Sequence, residues 1–303
     1  LINGFVIIDK PAGITSHGVV SRVRRILGTR KVGHTGTLDP FATGVLPVAV
    51  NDGTKAIPFL DEGTKSYEAV MQLGISTDTL DLTGTVLREA EWRGITQASL
   101  EAALDRFRGP ISQIPPMYSA LKRDGQPLYK LARQGQTVER APRSIEIFSL
   151  ELMKFEPPLA TFRVDCSRGT YVRTLAEDIG TLLGCGAALK ELRRTASGPF
   201  QAAAAVTLEQ LELAAGEGRA EGLVISSSAA LGQLPELAVG ELARTLISHG
   251  RSPEWKDLEP LDRSVLADGC LVRLVHNAAL LAVAEFHESN GAEQRVTLKR
   301  VFL

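Results

Sequence analysis

The sequence predicts an α+β fold, and three observations carry that prediction. Amphipathic helical stretches and alternating strand tracts both occur, without the regular strand-helix-strand order that builds a parallel sheet. The last third breaks into short strands separated by turns, as in a small barrel. Of the 303 residues, 44% are hydrophobic, enough to bury the core of one large domain and one small one.

Residues 16–27 read as a helix, with Val19, Val20, Val23, Ile26 and Leu27 on one face and Thr15 or Ser16 as the cap. Tyr67 to Ile75 reads as a strand. Gln97 to Arg108 reads as a second helix, capped by Thr96, with Leu100, Leu104 and Phe107 inward and Gly109-Pro110 as its stop. Leu159 to Cys166 reads as a strand in which Phe162, Val164 and Cys166 alternate with Arg163 and Asp165. Gly169 then turns the chain, and Thr170 is expected to cap a helix whose buried stripe is Val172, Leu175, Ile179, Leu182 and Leu183. Glu209 to Glu221 shifts to Ala, Gly and Glu, which reads as a flexible connection, although its Ala-rich parts can be helical. Leu271 to Val275, Leu280 to Phe286 and Arg295 to Phe302 read as short strands, with turns at His276-Asn277 and Ser289-Asn290-Gly291. There is no internal repeat.

Composition narrows the function. The three cysteines, Cys166, Cys185 and Cys270, are scattered and odd in number, so neither a disulfide framework nor a zinc spacing is supported. The five histidines form no ligand pattern, and no metal is predicted. The apolar run Phe5 to Ile8 is too short for a membrane span or a signal core, so a cytoplasmic protein is expected. The first residue is Leu1 rather than Met, which fits a chain lacking a short N-terminal piece. The net charge of -1 does not suggest a nucleic-acid partner, but the distribution does. Arg22, Arg24, Arg25, Arg30 and Lys31 form one basic block. Lys122, Arg123, Lys130, Arg133, Arg140 and Arg143 form another, against only Asp124 and Glu139. One such block is ordinarily a solvated face; two around one chemical motif point to phosphate contacts.

That motif is the run from Gly33 to Pro47, where three glycines and two prolines pin a loop holding one carboxylate, Asp39. On local grammar Asp39 is either turn chemistry before a proline or a positioned nucleophile or base. A phosphate-binding loop fails, because no Gly-Lys-Ser/Thr follows.

Four runs in order settle which reading to pursue. Gly33-His34-Thr35-Gly36-Thr37-Leu38-Asp39-Pro40 resembles the active-site motif of the TruB family of tRNA pseudouridine synthases. Asp9-Lys10-Pro11-Ala12-Gly13-Ile14-Thr15-Ser16 is similar to that family's first motif, Lys65-Ser66-Tyr67 to its tyrosine motif, and Ser167-Arg168-Gly169-Thr170-Tyr171-Val172-Arg173 to its arginine motif. Together they cover most of residues 4–200. The resemblance implies the pseudouridine synthase fold, a large mixed and mainly antiparallel sheet with flanking helices and a central cleft. It implies a catalytic domain over residues 1–215 and, from a looser likeness at the C-terminus, a PUA-like RNA-binding domain over 232–303.

The resemblance also implies the chemistry. Asp39 is the catalytic group, Arg173 its partner, and Tyr67 the platform for a flipped uracil that also helps remove the C5 proton. His34 fills the space the base vacates, and Tyr171 and Leu192 line the uracil pocket. No cofactor is needed. Arg173 is locally odd, since a cation in a first helical turn opposes the macrodipole at about 0.3 to 1 kcal/mol, and a paired carboxylate resolves the conflict. The segment from about residue 117 to 143 resembles the TruB-specific thumb that closes over the tRNA T arm, which makes the T-loop uridine at tRNA position 55 the expected substrate. A monomer without an obligate protein partner is expected. The alternatives are a guide-RNA-directed pseudouridine synthase, a non-catalytic tRNA chaperone, and a glycoside hydrolase, the last needing a second catalytic carboxylate.

Overall fold

The computed structural model describes residues 2–123, 125–260, 266–288 and 294–302. In chain order the main elements are β1 (Gly4–Lys10), α1 (Ser16–Ile26), β2 (Val32–His34), β3 (Thr43–Val50), β4 (Thr64–Leu73), α2 (Gln97–Asp105), β5 (Gly109–Gln113) and α3 (Leu128–Arg133). They continue with β6 (Arg143–Glu156), β7 (Leu159–Ser167), α4 (Val172–Leu182), β8 (Ala187–Ser197), α5 (Leu208–Gly216) and β9 (Val224–Ile225). The C-terminal part holds β10 (Glu236–Val239), α6 (Glu241–Ser248), β11 (Leu258–Pro260), β12 (Leu271–His276), β13 (Ala279–His287) and β14 (Arg295–Val301).

One large sheet runs β9-β1-β3-β8-β4-β7-β6-β5, with β2 also on β3 and Phe200–Gln201 on β8. Every junction is antiparallel except β3 with β8, where Arg193 faces Thr43 and Arg194 faces Gly44. The sheet is therefore mixed and mainly antiparallel, as expected. That junction depends on Gly44: at φ +98° a Cβ there would stand 2.2 Å from the Arg194 carbonyl oxygen. The chain leaving the Asp39 loop is thus seated directly against the strand that carries Leu192 and Arg194.

On one face of the sheet, Val6, Ile8, Leu46 and Met71 pack with Val19 and Val23 of α1, Leu100 and Leu104 of α2, Leu175 and Ile179 of α4, and Leu211 of α5. The other face of β1 and β3, through Phe5, Ile7, Val45 and Ala49, meets Val275, Leu280, Val283 and Phe302 from the C-terminal sheet. Burial on both faces is why β1 reads as an unbroken apolar run rather than an alternating one. The C-terminal sheet runs β11-β10-β12-β13-β14, and α6 helps close its core with Ala243 and Ile247.

Thr15 caps α1 by accepting from the Gly18 N–H, and Thr96 caps α2 in a reciprocal pair with Ser99. Several expectations need correction. The helix α2 stops at Asp105, and Gly109-Pro110 opens β5 instead of merely ending the helix. Tyr171, not Thr170, is the residue before α4; the Thr170 hydroxyl donates back to the Ser167 carbonyl. Leu182 is exposed rather than part of the buried stripe. From Glu209 to Gly216 the expected flexible connection is helix, the alternative its Ala-rich composition allowed. Thr207 and Gln210 form a capping box, and α5 buries Leu208 and Leu211 in the main core, so packing decides what composition alone left open. The turn joining β12 to β13 centres on Asn277 and Ala278, both at positive φ; the expected turn at Ser289-Asn290-Gly291 and the charge of Asp124 lie outside the described residues.

Candidate active site

The Asp39 loop runs between β2 and β3, and three buried side chains fix it. Lys10, at the end of β1, donates from Nζ to the carbonyls of Pro11 (2.9 Å), Pro40 (3.2 Å) and Ala42 (2.6 Å). Ser16 accepts from the Leu38 N–H at 2.8 Å and donates to the Leu38 carbonyl at 3.1 Å. Arg194 donates from Nε to the Val45 carbonyl at 2.7 Å and from Nη2 to the Gly36 carbonyl at 3.1 Å. Burial pushes the Lys10 ammonium down to about 8, against the pull of Asp39. A loop whose carbonyls are held at both ends presents its carboxylate in one place.

Arg173 meets that carboxylate with one hydrogen bond, Nη2 to Asp39 Oδ1 at 3.1 Å, and with an ion-pair contact of Nε to Oδ2 at 2.8 Å. The guanidinium is only 3% exposed, and it also donates to the carbonyls of Thr79 (2.6 Å) and Tyr118 (2.8 Å) and lies 3.7 Å from Asp81 Oδ2. The cation in the first turn of α4 is therefore held by carboxylates, which answers the dipole conflict read from the sequence. The Asp39 carboxyl keeps 32% of its side-chain surface accessible at the bottom of a cleft, and desolvation there pushes its pKa above the ordinary value while Arg173 opposes the shift.

Asp39 stands where two cavities meet. The smaller, about 310 Å³, is lined by Asp39, Tyr67, Tyr171, Arg173, Leu192 and Arg194. The larger, about 1380 Å³, shares Asp39, Arg173 and Leu192 and adds His34, Tyr118, Tyr129 and Arg133. Tyr67 lies directly opposite Arg194 across the β4–β8 pairing, and burial pushes its phenol up while Arg194 pulls the other way. Tyr171 is clasped by Gln113 of β5, whose amide oxygen accepts from the Tyr171 N–H (2.8 Å) and whose amide nitrogen donates to the Tyr171 carbonyl (3.1 Å). His34 is the last residue of β2 rather than a free loop residue; burial and the neighbouring Arg194 lower its pKa and keep it neutral near pH 7.

The basic blocks divide. Arg22 pairs with Glu209 at 3.4 Å and Arg24 donates to the Val32 carbonyl at 2.8 Å, so both brace the fold, whereas Arg25, Arg30 and Lys31 are exposed. Lys122 and Arg123 lie on a short hairpin beside α3, with Arg123 donating to the Glu139 carbonyl at 2.8 Å; Lys130 is exposed on α3, and the Arg133 guanidinium stands 5.5 Å from the Tyr129 ring centroid. Lys10, Ser16, Thr79, Asp81, Gln113 and Arg194 carry no role in the sequence reading, yet they build the site. Lys10 and Ser16 lie in the first of the four runs in chain order, and Thr79 and Asp81 in the Thr- and Asp-rich run 77–85; Gln113 left no local signal.

The family model for the TruB family pseudouridylate synthase N-terminal domain matches residues 24–172, and that for the tRNA pseudouridylate synthase B C-terminal domain matches residues 173–226. The tRNA pseudouridine synthase B of Geobacter sulfurreducens is 51% identical over 94% of this chain and 93% of its own length. The chain belongs to the TruB family. The Pseudomonas putida F1 protein of the same name is 47% identical over 97% of this chain and 95% of its own. Among solved structures, a chain of a Cbf5-Nop10-Gar1 complex superposes with a TM-score of 0.76 at 28% identity, covering 100% of this chain and 85% of that one. The pseudouridine synthase fold expected of a TruB protein is therefore the fold observed.

Proposed function

We propose that this TruB-family chain isomerises a uridine of tRNA to pseudouridine, at T-loop position 55, with Asp39 as the catalytic group. The observation that carries the reading is the placement of Asp39 where a small pocket lined by Tyr67, Tyr171, Arg173 and Leu192 meets a much larger cleft. A base flipped out of the RNA enters the small pocket while its sugar and neighbours stay in the cleft. Tyr67 supplies the platform and assists removal of the C5 proton, Tyr171 and Leu192 enclose the ring, and Arg173 orients the carboxylate. His34, neutral and on the cleft side, stacks where the base was. Mapping pseudouridine in tRNA treated with the protein tests this; tRNA left without pseudouridine at position 55 overturns it.

We read residues 1–215 as the catalytic domain, 117–143 as a thumb for the T arm, and 232–303 as a PUA-like RNA-binding domain. Its five strands and the bridge between Glu254 and Arg295, which draws the two ends of that sheet together, support the last reading. The protein acts in the cytoplasm, as a monomer. Near 50% identity to tRNA-named relatives, against 28% to the Cbf5 chain, favours a stand-alone tRNA enzyme over a guide-RNA-directed one. The intact Asp39–Arg173 ion pair argues against a purely chaperoning role.

A further inference from the structure

Arg194 is only 1% exposed, and the ion pairs of the site fall on its neighbours. Arg173 takes Asp39 and Asp81, and Lys65 takes Glu62 at 3.8 Å. Among the described residues, no carboxylate forms an ion pair with Arg194; its Nε and Nη2 go to main-chain carbonyls. Nη1 lies 3.6 Å from where a Cβ on Gly36 would stand, and the side chain lines the small pocket beside Tyr67. A buried guanidinium without a counter-ion is costly to hold, and one carbonyl clamp does not require a permanent charge.

We propose that Arg194 is a further catalytic residue, the fixed cation that faces the flipped base and stabilises its negative charge during the rearrangement. The proposal rests on the uridine isomerisation argued above. Whichever way Asp39 acts, the N1–C1′ bonding pair leaves on the base. The uracil is then anionic until its C5 bonds to C1′, after which the C5 proton is taken up, with Tyr67 assisting, and N1 gains one, so that the ring ends neutral as in the substrate. Arg173 is already neutralised by two carboxylates, and Lys65 and the exposed Arg168 share Glu62, so the buried cation on this wall with no carboxylate of its own is Arg194. A preorganised cation in a dry pocket acts on such developing charge without reorganising. Arg194 stays protonated throughout and exchanges no proton.

The test compares single-turnover rates of wild type, Arg194→Met and Arg194→Lys on saturating tRNA carrying either uridine or 5-fluorouridine at the target position. Loss of the N-nucleoside and appearance of the rearranged product are read by chromatography and mass spectrometry of digests. Fluorine stabilises the base anion, so a variant lacking the cation should be rescued by it. The expected result is a loss of about 10²-fold or more for Arg194→Met on uridine, at least tenfold less loss on 5-fluorouridine, and recovery of at least tenfold by Arg194→Lys, with tRNA affinity unchanged within a few-fold. Equal losses on both substrates overturn the proposal. So does failure of both variants to fold, or a lysine variant as slow as the methionine one, since either assigns Arg194 to holding the Gly36 and Val45 carbonyls. If wild type makes no pseudouridine from the uridine tRNA, the proposed function itself fails instead.

Discussion

Arg173 pairs with Asp39, its Nε 2.8 Å from Oδ2 and its Nη2 donating to Oδ1 at 3.1 Å, while Nη1 and Nη2 also donate to the Thr79 and Tyr118 carbonyls. The carboxylate is thus tied at once to α4, to the 77–85 turn and to the segment around Tyr118. Its orientation is over-determined, which is what a reacting group needs and what a turn aspartate does not.

Asp39→Asn removes the charge but nearly keeps the shape. Pseudouridine formation should be abolished, while tRNA affinity stays within a few-fold, because binding draws on surface cations and stacking. Turnover and a filter-binding titration on the same preparation check this. Normal turnover would remove Asp39 from the chemistry.

Arg173→Lys keeps a positive charge but loses the planar fork. One ammonium cannot serve both Asp39 oxygens and two carbonyls, so the single-turnover rate should fall about 10²-fold or more, the scale of a misplaced reacting group. Affinity for tRNA should change far less. Equal losses in rate and affinity would make Arg173 a phosphate contact.

The pH profile should carry the signature of a buried carboxylate. Asp39 must be ionised to act as nucleophile or base, so the rate rises as pH climbs through its pKa. Burial raises that pKa above the ordinary 3.8, and the acid limb should therefore lie at higher pH than that. Lys10 is a cation that pulls Asp39 down, so Lys10→Met should move the limb to higher pH; Asp81 is an anion that pushes it up, so Asp81→Asn should move it lower. Single-turnover rates at saturating tRNA across pH 4–8 report the limb, and shifts of the opposite sign would refute the electrostatic account.

What could be read from the sequence was what is encoded locally. The helix α1 was legible because its cap and its apolar stripe both lie between Thr15 and Leu27. Strand β8 was not, because two bulges, at Leu189/Glu191 and Arg194/Ala196, break its alternation. The helix α5 was hidden by an Ala- and Glu-rich composition, although Thr207 and Gln210 announced it. In the site, Asp39, Tyr67, Tyr171, Arg173 and Leu192 came from motif likeness, and the structure gathers all five around one pocket. Gln113 clasps Tyr171 from 58 residues away, and no local pattern encodes such a contact.

The last prediction concerns the thumb. Arg133 stands over the Tyr129 ring, both line the large cleft, and Lys130 is exposed on the same short helix. If these cations meet tRNA phosphates, affinity falls steeply with added salt, with a slope of roughly 0.7 to 0.9 per neutralised phosphate. Replacing Lys130 and Arg133 together with Gln should flatten that slope by about two contacts' worth. Neither residue lines the small pocket that holds Tyr67 and Tyr171, so the single-turnover rate at saturating tRNA should change much less than the affinity. Titrations of wild type and the double variant across a salt series decide the matter. An unchanged slope would leave Lys130 and Arg133 as solvated surface and remove the electrostatic argument for a thumb that grips the T arm.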